Sequence, residues 1–382
     1  MDIEKIANFI ADKMSPVGVN SQQCARIRSP LSKCSNCLDI CPQQRIKISS
    51  KTLSLADNCL ECGLCASVCP TGALTLKEPD LIMILNKIEQ AYKDKGVVNI
   101  SCRRNLSVND ECIKIPCLGT LGPEIILVMR LYDFPIYFIY TEEECKSCPV
   151  KGGIDLFNAR AVQVDGLIEE FSLEARDLVQ LARQKENKFK ERPKKHQETN
   201  IERRALFSSV FNGFRKMPGL VIESYMGTQN NQAQTTTAPK RVTDYVAIDR
   251  IEILKKYLYE KMEDPSRKVK LLYQPHLVDT CYFCKACTIL CPTGALEYNE
   301  KDSEIILDSG RCSGCNLCAD LCFHKSLKLM PVSLESVATS SKINFIKGHT
   351  KVCEKCQESF IASGEALICA KCRSQGNMGM VN

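Results

Sequence analysis

Short apolar segments, each next to a cysteine-rich run, mark the first 79 residues. Residues 45–48 (RIKI) and 71–76 (TGALTL) alternate apolar and polar side chains, as short half-buried strands do. Apolar residues recur at helical spacing over residues 1–20, which predicts one amphipathic helix that stops near Pro16. Because each strand follows its own cysteine run, residues 1–79 predict a small module of two similar halves.

Three strongly apolar segments alternate with helical patterns between residues 80 and 165. Residues 97–101, 112–117 and 136–140 read as strands, and a helix is predicted to begin at Pro123, because proline is favoured in a first turn. This β-α-β order predicts a small α/β domain with a parallel sheet over residues 80–165. Functional groups gather at the carboxyl ends of such strands. The cysteines at or just beyond those ends are Cys102, Cys117, Cys145 and Cys148.

Residues 166–245 have a different character. A helical pattern covers residues 168–181, a basic run covers 185–195, and residues 227–239 are polar and of low complexity. They predict a helical basic segment followed by a flexible linker, which would let the part of the chain after it move. Acidic residues interrupt the basic run and aromatic residues are few, so we expect no nucleic-acid binding.

Composition points to metal sites. The 382 residues include 25 cysteines and no tryptophan, and only 6% are aromatic. Bound metals therefore replace part of the usual core. Most of the cysteines are grouped as C-x2-C, which argues against a disulfide framework. With neither a signal peptide nor a transmembrane segment apparent, we expect a cytoplasmic protein. The net charge of +6 is a weak indication of acidic partners.

The cysteines recur in runs of closely spaced thiols. Residues 59–70 read C-x2-C-x2-C-x3-C-P, residues 281–292 repeat this pattern, and residues 312–323 give it again with Phe323 in place of proline. These runs resemble the ligand segments of bacterial dicluster ferredoxins. In that family three close cysteines hold one [4Fe-4S] cluster, and the fourth binds the other cluster.

The remaining run, residues 34–42, lacks its first cysteine, because Leu31 occupies that position. Cys24, which opens a C-x-R-x-R segment, is the predicted replacement, and this opening resembles dicluster ferredoxin subunits of oxidoreductases. The cross-over rule then predicts four [4Fe-4S] clusters. Their ligand sets are Cys24, Cys34, Cys37 and Cys69; Cys41, Cys59, Cys62 and Cys65; Cys281, Cys284, Cys287 and Cys322; and Cys291, Cys312, Cys315 and Cys318.

Two further sites are predicted. By its layout the domain at 80–165 distantly resembles the small iron–sulfur subunit found with hydrogenases and heterodisulfide reductases. This resemblance implies a fifth cluster, [2Fe-2S] or [4Fe-4S], on Cys102, Cys117, Cys145 and Cys148; a redox-inactive thiol set or a disulfide is the alternative. Near the C-terminus, Cys353, Cys356, Cys369 and Cys372 form two C-x2-C pairs, which favour zinc over rubredoxin-type iron.

Together these patterns predict an α+β protein. Two βαβ-type dicluster ferredoxin modules (1–79 and 246–335) flank the small α/β domain (80–165) and the helical linker (166–245). A four-cysteine zinc-ribbon or rubredoxin-like knuckle (336–382) closes the chain.

The predicted function is electron transfer. The sequence contains no dinucleotide fingerprint, P-loop or H-E-x-x-H motif. We expect a non-catalytic subunit of an anaerobic oxidoreductase complex that passes single electrons to or from a catalytic partner or other redox protein. The alternatives are an enzyme that reduces its substrate at Cys102, Cys117, Cys145 and Cys148, or a metal- or redox-sensing regulator.

Overall fold

The computed structural model describes residues 16–77, 79–105, 112–132, 134–181, 246–338 and 342–377. Most of the helix predicted over residues 1–20 lies outside these ranges. So do the basic run at 185–195 and the low-complexity linker at 227–239.

The N-terminal module consists of two small antiparallel sheets and three short helices. Residues 17–19 pair with residues 74–76, with Val17 opposite Leu76. Residues 46–48 pair with residues 53–55, with Ile46 opposite Leu55. Each half thus contributes short strands that border its cysteine loops. The elements are β1 (Val17–Val19), α1 (Ala25–Arg28), α2 (Asn36–Ile40), β2 (Ile46–Ile48), β3 (Leu53–Leu55), α3 (Leu64–Ser67) and β4 (Leu74–Leu76).

The middle domain contains a four-stranded sheet in the order β6-β5-β7-β8, and every pair in it is parallel, as the β-α-β order predicts. Asp80 caps the first helix, because its carboxylate accepts a hydrogen bond from Met83 N–H at 2.7 Å. The helix ends at Gly96, which has a left-handed conformation. The elements are α4 (Leu81–Lys95), β5 (Val98–Cys102), β6 (Ile113–Ile115), α5 (Pro123–Leu131), β7 (Ile136–Ile139), α6 (Glu142–Ser147), α7 (Gly153–Phe171) and β8 (Val179–Leu181).

The helix predicted over residues 168–181 is wrong beyond Phe171. Helix α7 continues past residue 165, where the middle domain was predicted to end. It ends because Ser172 adopts a left-handed conformation at φ 50°, and Leu173 N–H then donates to Ile168 O. Residues 179–181 instead add a strand to the parallel sheet. The middle sheet therefore extends to residue 181.

The second module and the C-terminal knuckle are built from three further antiparallel sheets. Long strands β9 and β12 pair with each other, β10-β11-β13 form a second sheet, and β14-β15 form the hairpin of the knuckle. The elements are α8 (Val246–Leu258), β9 (Lys268–Leu277), α9 (Ala286–Ile289), β10 (Leu296–Asn299), β11 (Glu304–Asp308), α10 (Leu317–Asp320), β12 (Leu327–Ser333), α11 (Leu334–Ala338), β13 (Lys342–Lys347), β14 (His349–Val352), β15 (Ser359–Ala362) and α12 (Ala370–Asn377).

The second module packs against the rest of the described chain. Ile251 and Leu254 of α8 belong to the same buried core as the middle domain. In addition, Ala25 is buried in the core of the second module, and Lys33 N–H donates to Asp320 Oδ2 at 3.0 Å. Motion of the second module, which the predicted linker would allow, would therefore have to break these contacts. A main-chain donor and a small alanine make these contacts, and neither gives a recognisable sequence pattern.

Candidate metal centres

One turn recurs after the last cysteine of all four ferredoxin-type runs. The third residue after that cysteine is always left-handed, with φ between 52° and 70° at Gln44, Gly72, Gly294 and Lys325. In two of the runs the next backbone N–H lies 3.3 Å from the cysteine Sγ, from Arg45 to Cys41 and from Ser326 to Cys322. The run with phenylalanine in place of proline therefore keeps the same turn.

Site A brings Cys24, Cys34, Cys37 and Cys69 together. Cys24 is buried at the N-terminal end of α1. Burial raises the pKa of Cys37 to about 12, and the nearby Cys69, Cys34 and Cys24 thiolates add to the rise. Burial also raises the pKa of Cys34, and the positive charge of Arg26 opposes that rise. Leu31 stands where a regular run has its first cysteine, and Cys24 thus brings a thiol to site A in its place.

Site B brings together Cys41, Cys59, Cys62 and Cys65. Burial raises the pKa of the Cys65 thiol, and the neighbouring Cys62, Cys59 and Cys41 thiolates contribute further. Because buried like charges repel, four thiolates here need a cationic partner. An iron–sulfur cluster fits such a donor set.

Site C brings together Cys281, Cys284, Cys287 and Cys322 in the second module. Burial raises the pKa of Cys287 to about 12, followed by contributions from Cys281, Cys284 and Cys322. The donor set therefore has the composition of site B, but Cys284 is exposed.

Site D, the other half of this module, consists of Cys291, Cys312, Cys315 and Cys318. Burial raises the pKa of Cys318, and Cys312, Cys315 and Cys291 raise it further. Cys312 has its pKa raised to about 12, mainly by burial. In both modules, then, the fourth cysteine of one run lies with the first three cysteines of the other.

Site M, in the middle domain, brings together Cys102, Cys117, Cys145 and Cys148. Burial raises the pKa of Cys117 to about 12, and Cys102 and Cys148 are among the thiols that add to it. Burial raises the pKa of Cys145 to about 11, again with contributions from Cys102 and Cys148. Thr141 caps helix α6, which includes Cys145 and is followed directly by Cys148. Cys112 precedes β6, whereas Cys117 follows it.

Site M lies next to site B, and site B lies next to site A. Cys62 of site B forms a small buried cluster with Leu64 and Val150, against which Cys117 and Cys148 of site M pack. Cys65 of site B shares another buried cluster with Cys24 and Cys69 of site A.

The same kind of contact continues into the second module. Cys34 of site A and the thiols of site D pack against the same buried core. Burial raises the pKa of Cys315 to about 11, and Cys34 is among the charges that add to the rise. Within the module, Cys287 of site C contributes to the raised pKa of Cys318 of site D. The five sites therefore follow one another in the order M, B, A, D, C.

Two glycines hold site M against its neighbouring helix. A Cβ at Gly153 would lie 2.6 Å from Cys117 Sγ, and one at Gly119 would lie 2.4 Å from Gly153 O. We expect Gly153→Ala to lower the iron content of the purified chain, because the added methyl displaces the Cys117 thiol. Gly166→Ala is the matched control on the same helix, since nothing lies within 4 Å of its Cβ position and alanine favours helix. Iron analysis of both purified variants tests this, and equal iron contents would contradict it.

The C-terminal knuckle has a tighter geometry than the other sites. The Sγ atoms of Cys353, Cys356, Cys369 and Cys372 all lie within 4.8 Å of one another, and those of Cys356 and Cys369 are 3.8 Å apart. A tetrahedron with metal–sulfur bonds of about 2.3 Å has edges of roughly 3.8 Å, so a single ion fits. Cys369 N–H donates to Cys353 Sγ, and backbone donors lower the pKa of Cys353 to about 6.

The knuckle also packs on site C. Cys281 N–H donates to Ser363 Oγ at 2.8 Å, and Ser363 N–H donates to Cys281 O at 2.9 Å. Arg373, which follows the last knuckle cysteine, donates to Tyr282 Oη at 2.9 Å. The knuckle is thus attached directly to the loop of Cys281 in site C.

Sequence reasoning missed a buried arginine beside sites B and M. Arg160 donates to the carbonyl oxygens of Ser67, Gly119 and Leu121 and is only 8% exposed. Desolvation lowers its pKa to about 10, so the guanidinium stays charged at pH 7. Helical spacing places Arg160 between Phe157 and Val164 on the apolar face of α7, and this pattern in the sequence could have indicated that the arginine is buried.

No helix within the described ranges combines the length and apolar character needed to cross a membrane. Comparison with known proteins identifies two matching segments: the 4Fe-4S dicluster domain family matches residues 32–73 and 280–326. No solved structure matches the chain.

Several characterised proteins resemble parts of the chain. A ferredoxin of Methanothermococcus thermolithotrophicus is 38% identical over 48 residues, which are 12% of this chain and 80% of that protein. A ferredoxin of Rickettsia felis is 29% identical over 73 residues, 19% of this chain and 67% of that protein. The respiratory nitrate reductase 2 beta chain of Escherichia coli is 25% identical over 120 residues, 31% of this chain, and the match spans only 20% of that protein.

The matched segments contain the cysteine runs of sites A to D, and the donor sets there suit iron–sulfur clusters. Through these two segments the chain belongs to the ferredoxin family.

Proposed function

We propose that this chain is an electron relay of five iron–sulfur sites that connects two redox partners. The observation that supports it is the single order M, B, A, D, C, in which each site packs against the next. When bound, a cluster exchanges one electron at a time. Four thiols at every site complete its coordination, so the arrangement favours passing electrons over binding a substrate.

The residues support cluster binding through their charge as well as their spacing. At each of the five sites, burial raises the pKa of at least one thiol, so thiolates without a cation would be unfavourable. Iron supplies that positive charge, and binding it releases the thiol protons. We propose [4Fe-4S] clusters at sites A to D and a cluster of either type at site M.

We further propose that the protein works as a subunit of an oxidoreductase complex. The similarity to a nitrate reductase beta chain supports this role. The knuckle would hold zinc, or rubredoxin-type iron, and would stabilise the loop of Cys281 through the Ser363 hydrogen bonds.

Anaerobic iron, sulfide and zinc analysis with EPR of the reduced protein tests this proposal. We expect roughly 16 irons from sites A to D, and roughly 18 to 20 when site M is filled. About one zinc per chain, lost in Cys372→Ser while sites A, B, D and M keep their iron, is the result expected of a zinc knuckle. Fewer than about ten irons would contradict four clusters.

A further inference from the structure

Arg160 is a buried positive charge whose hydrogen-bond partners are neutral. It is only 8% exposed, and its guanidinium donates to the carbonyl oxygens of Ser67, Gly119 and Leu121 and to the Ser67 hydroxyl. Neutral acceptors solvate a buried charge, but they do not cancel it. Since water screens a buried charge much less than an exposed one, the field of Arg160 acts on the groups around it.

The other charges around Arg160 are paired with each other. Burial lowers the pKa of Arg160 most, while Glu124 raises it and Arg250 lowers it further. Glu124 and Arg250 form an ion pair of their own, with Arg250 Nε 3.0 Å from Glu124 Oε1. Lys270, which lines a cavity together with these three side chains, pairs with Glu170 at 3.3 Å. One positive charge, that of Arg160, is therefore left in excess.

The excess charge lies beside the ligand segment of site B. Ser67, which accepts from Arg160 through both its carbonyl and its hydroxyl, lies two residues after Cys65 on helix α3. Gly119, another acceptor, packs against the same helix, because a Cβ at Gly119 would lie 2.9 Å from Leu64 Cδ2. Arg160 therefore contacts the segment of Cys65 directly through Ser67 and indirectly through Gly119.

Resting on the proposed relay, we propose that Arg160 is a potential-setting residue, whose excess charge raises the reduction potential of the cluster at site B. A cluster gains one negative charge when it takes up an electron, and a buried positive charge nearby stabilises that reduced form. Arg160 thus favours the transfer of electrons into site B from its neighbours. Removing the charge should make site B harder to reduce. It should leave site C unchanged, because site C adjoins only site D in the order of the five sites.

Three substitutions separate the charge of Arg160 from its hydrogen bonds. Arg160→Met removes both, whereas Arg160→Lys keeps the charge and loses part of the hydrogen bonds. Glu124→Gln removes the negative charge from the same cavity and keeps the shape of the side chain. Redox titration of the full chain, followed by EPR at pH 7, measures the potentials. The signal that changes in Cys65→Ser is the one that belongs to site B.

We expect Arg160→Met to lower the ratio of reduced to oxidised cluster at site B about tenfold at a given potential, which is about 59 mV for one electron. Arg160→Lys should stay close to the native potential, although it also weakens the hydrogen bonds. Glu124→Gln should shift the potential of site B in the opposite direction, because it removes a negative charge. The signal of site C should not move in any of the three variants.

A native potential of site B in Arg160→Met, at full iron content, would overturn the role of the charge. Equal losses in Arg160→Lys and Arg160→Met would also overturn it, because they would reflect the hydrogen bonds alone. If Arg160→Met loses iron, Glu124→Gln decides, and an unchanged or lower potential there would contradict the inference. A failed relay has a different signature, because clusters of the native chain that dithionite cannot reduce would contradict the proposed function itself.

Discussion

Replacing Cys69 with serine is expected to remove the cluster of site A and leave that of site B in place. Cys69 lies in the same run as Cys59, Cys62 and Cys65, yet its thiol adjoins Cys34 and Cys37. The iron content should fall by about four. EPR and iron analysis of the reduced variant measure this, with Cys65→Ser as the matched control that damages site B instead.

The same variant tests the order of the relay. Since site A lies between sites B and D, its loss separates sites M and B from sites C and D. Reduction through one end should then no longer reach the other end at the native rate. Loss of site B in Cys69→Ser, with site A intact, would contradict both the assignment of Cys69 to site A and the order of the five sites.

The sequence predicted which cysteines lie near one another more successfully than it predicted the packing between modules. The resemblance to dicluster ferredoxins grouped Cys69 with Cys34 and Cys37, because in that family the fourth cysteine of one run binds the other cluster. The contact between sites A and D was not predictable, since it depends on Lys33 N–H, Asp320 and buried Ala25. Neither a backbone donor nor an alanine shows in a pattern of apolar residues.

The middle domain shows the same limit. Its strands and the start of helix α5 were predictable from apolar runs and Pro123. The end of α7 was not, because a left-handed serine, Ser172, stops a helix whose apolar period continues. The role of Arg160 also escaped prediction, since its partners are carbonyl groups contributed by two other segments.

Substituting Arg160 with methionine is expected to destabilise the fold by about 3 kcal/mol. The guanidinium satisfies the carbonyl oxygens of Ser67, Gly119 and Leu121, which would lose these donors in a buried setting. Methionine has similar bulk but no donor, so packing is largely kept while the hydrogen bonds are lost. Anaerobic thermal unfolding, followed by circular dichroism, should show a midpoint several degrees lower.

The structure supplies a matched control for this substitution. Arg250 does not serve, although it also donates to Ser67 O at 2.8 Å, because its Nε lies 3.0 Å from Oε1 of the buried Glu124 and Arg250→Met would leave that carboxylate without its partner. Arg160→Lys keeps the charge and cannot reach all three carbonyls, so its loss should lie between those of the native chain and Arg160→Met. Because Ser67 lies between Cys65 and Cys69, and Gly119 lies beside Cys117, the same loss should loosen the contact between sites B and M. A midpoint for Arg160→Met equal to the native value would show that these carbonyls find other donors.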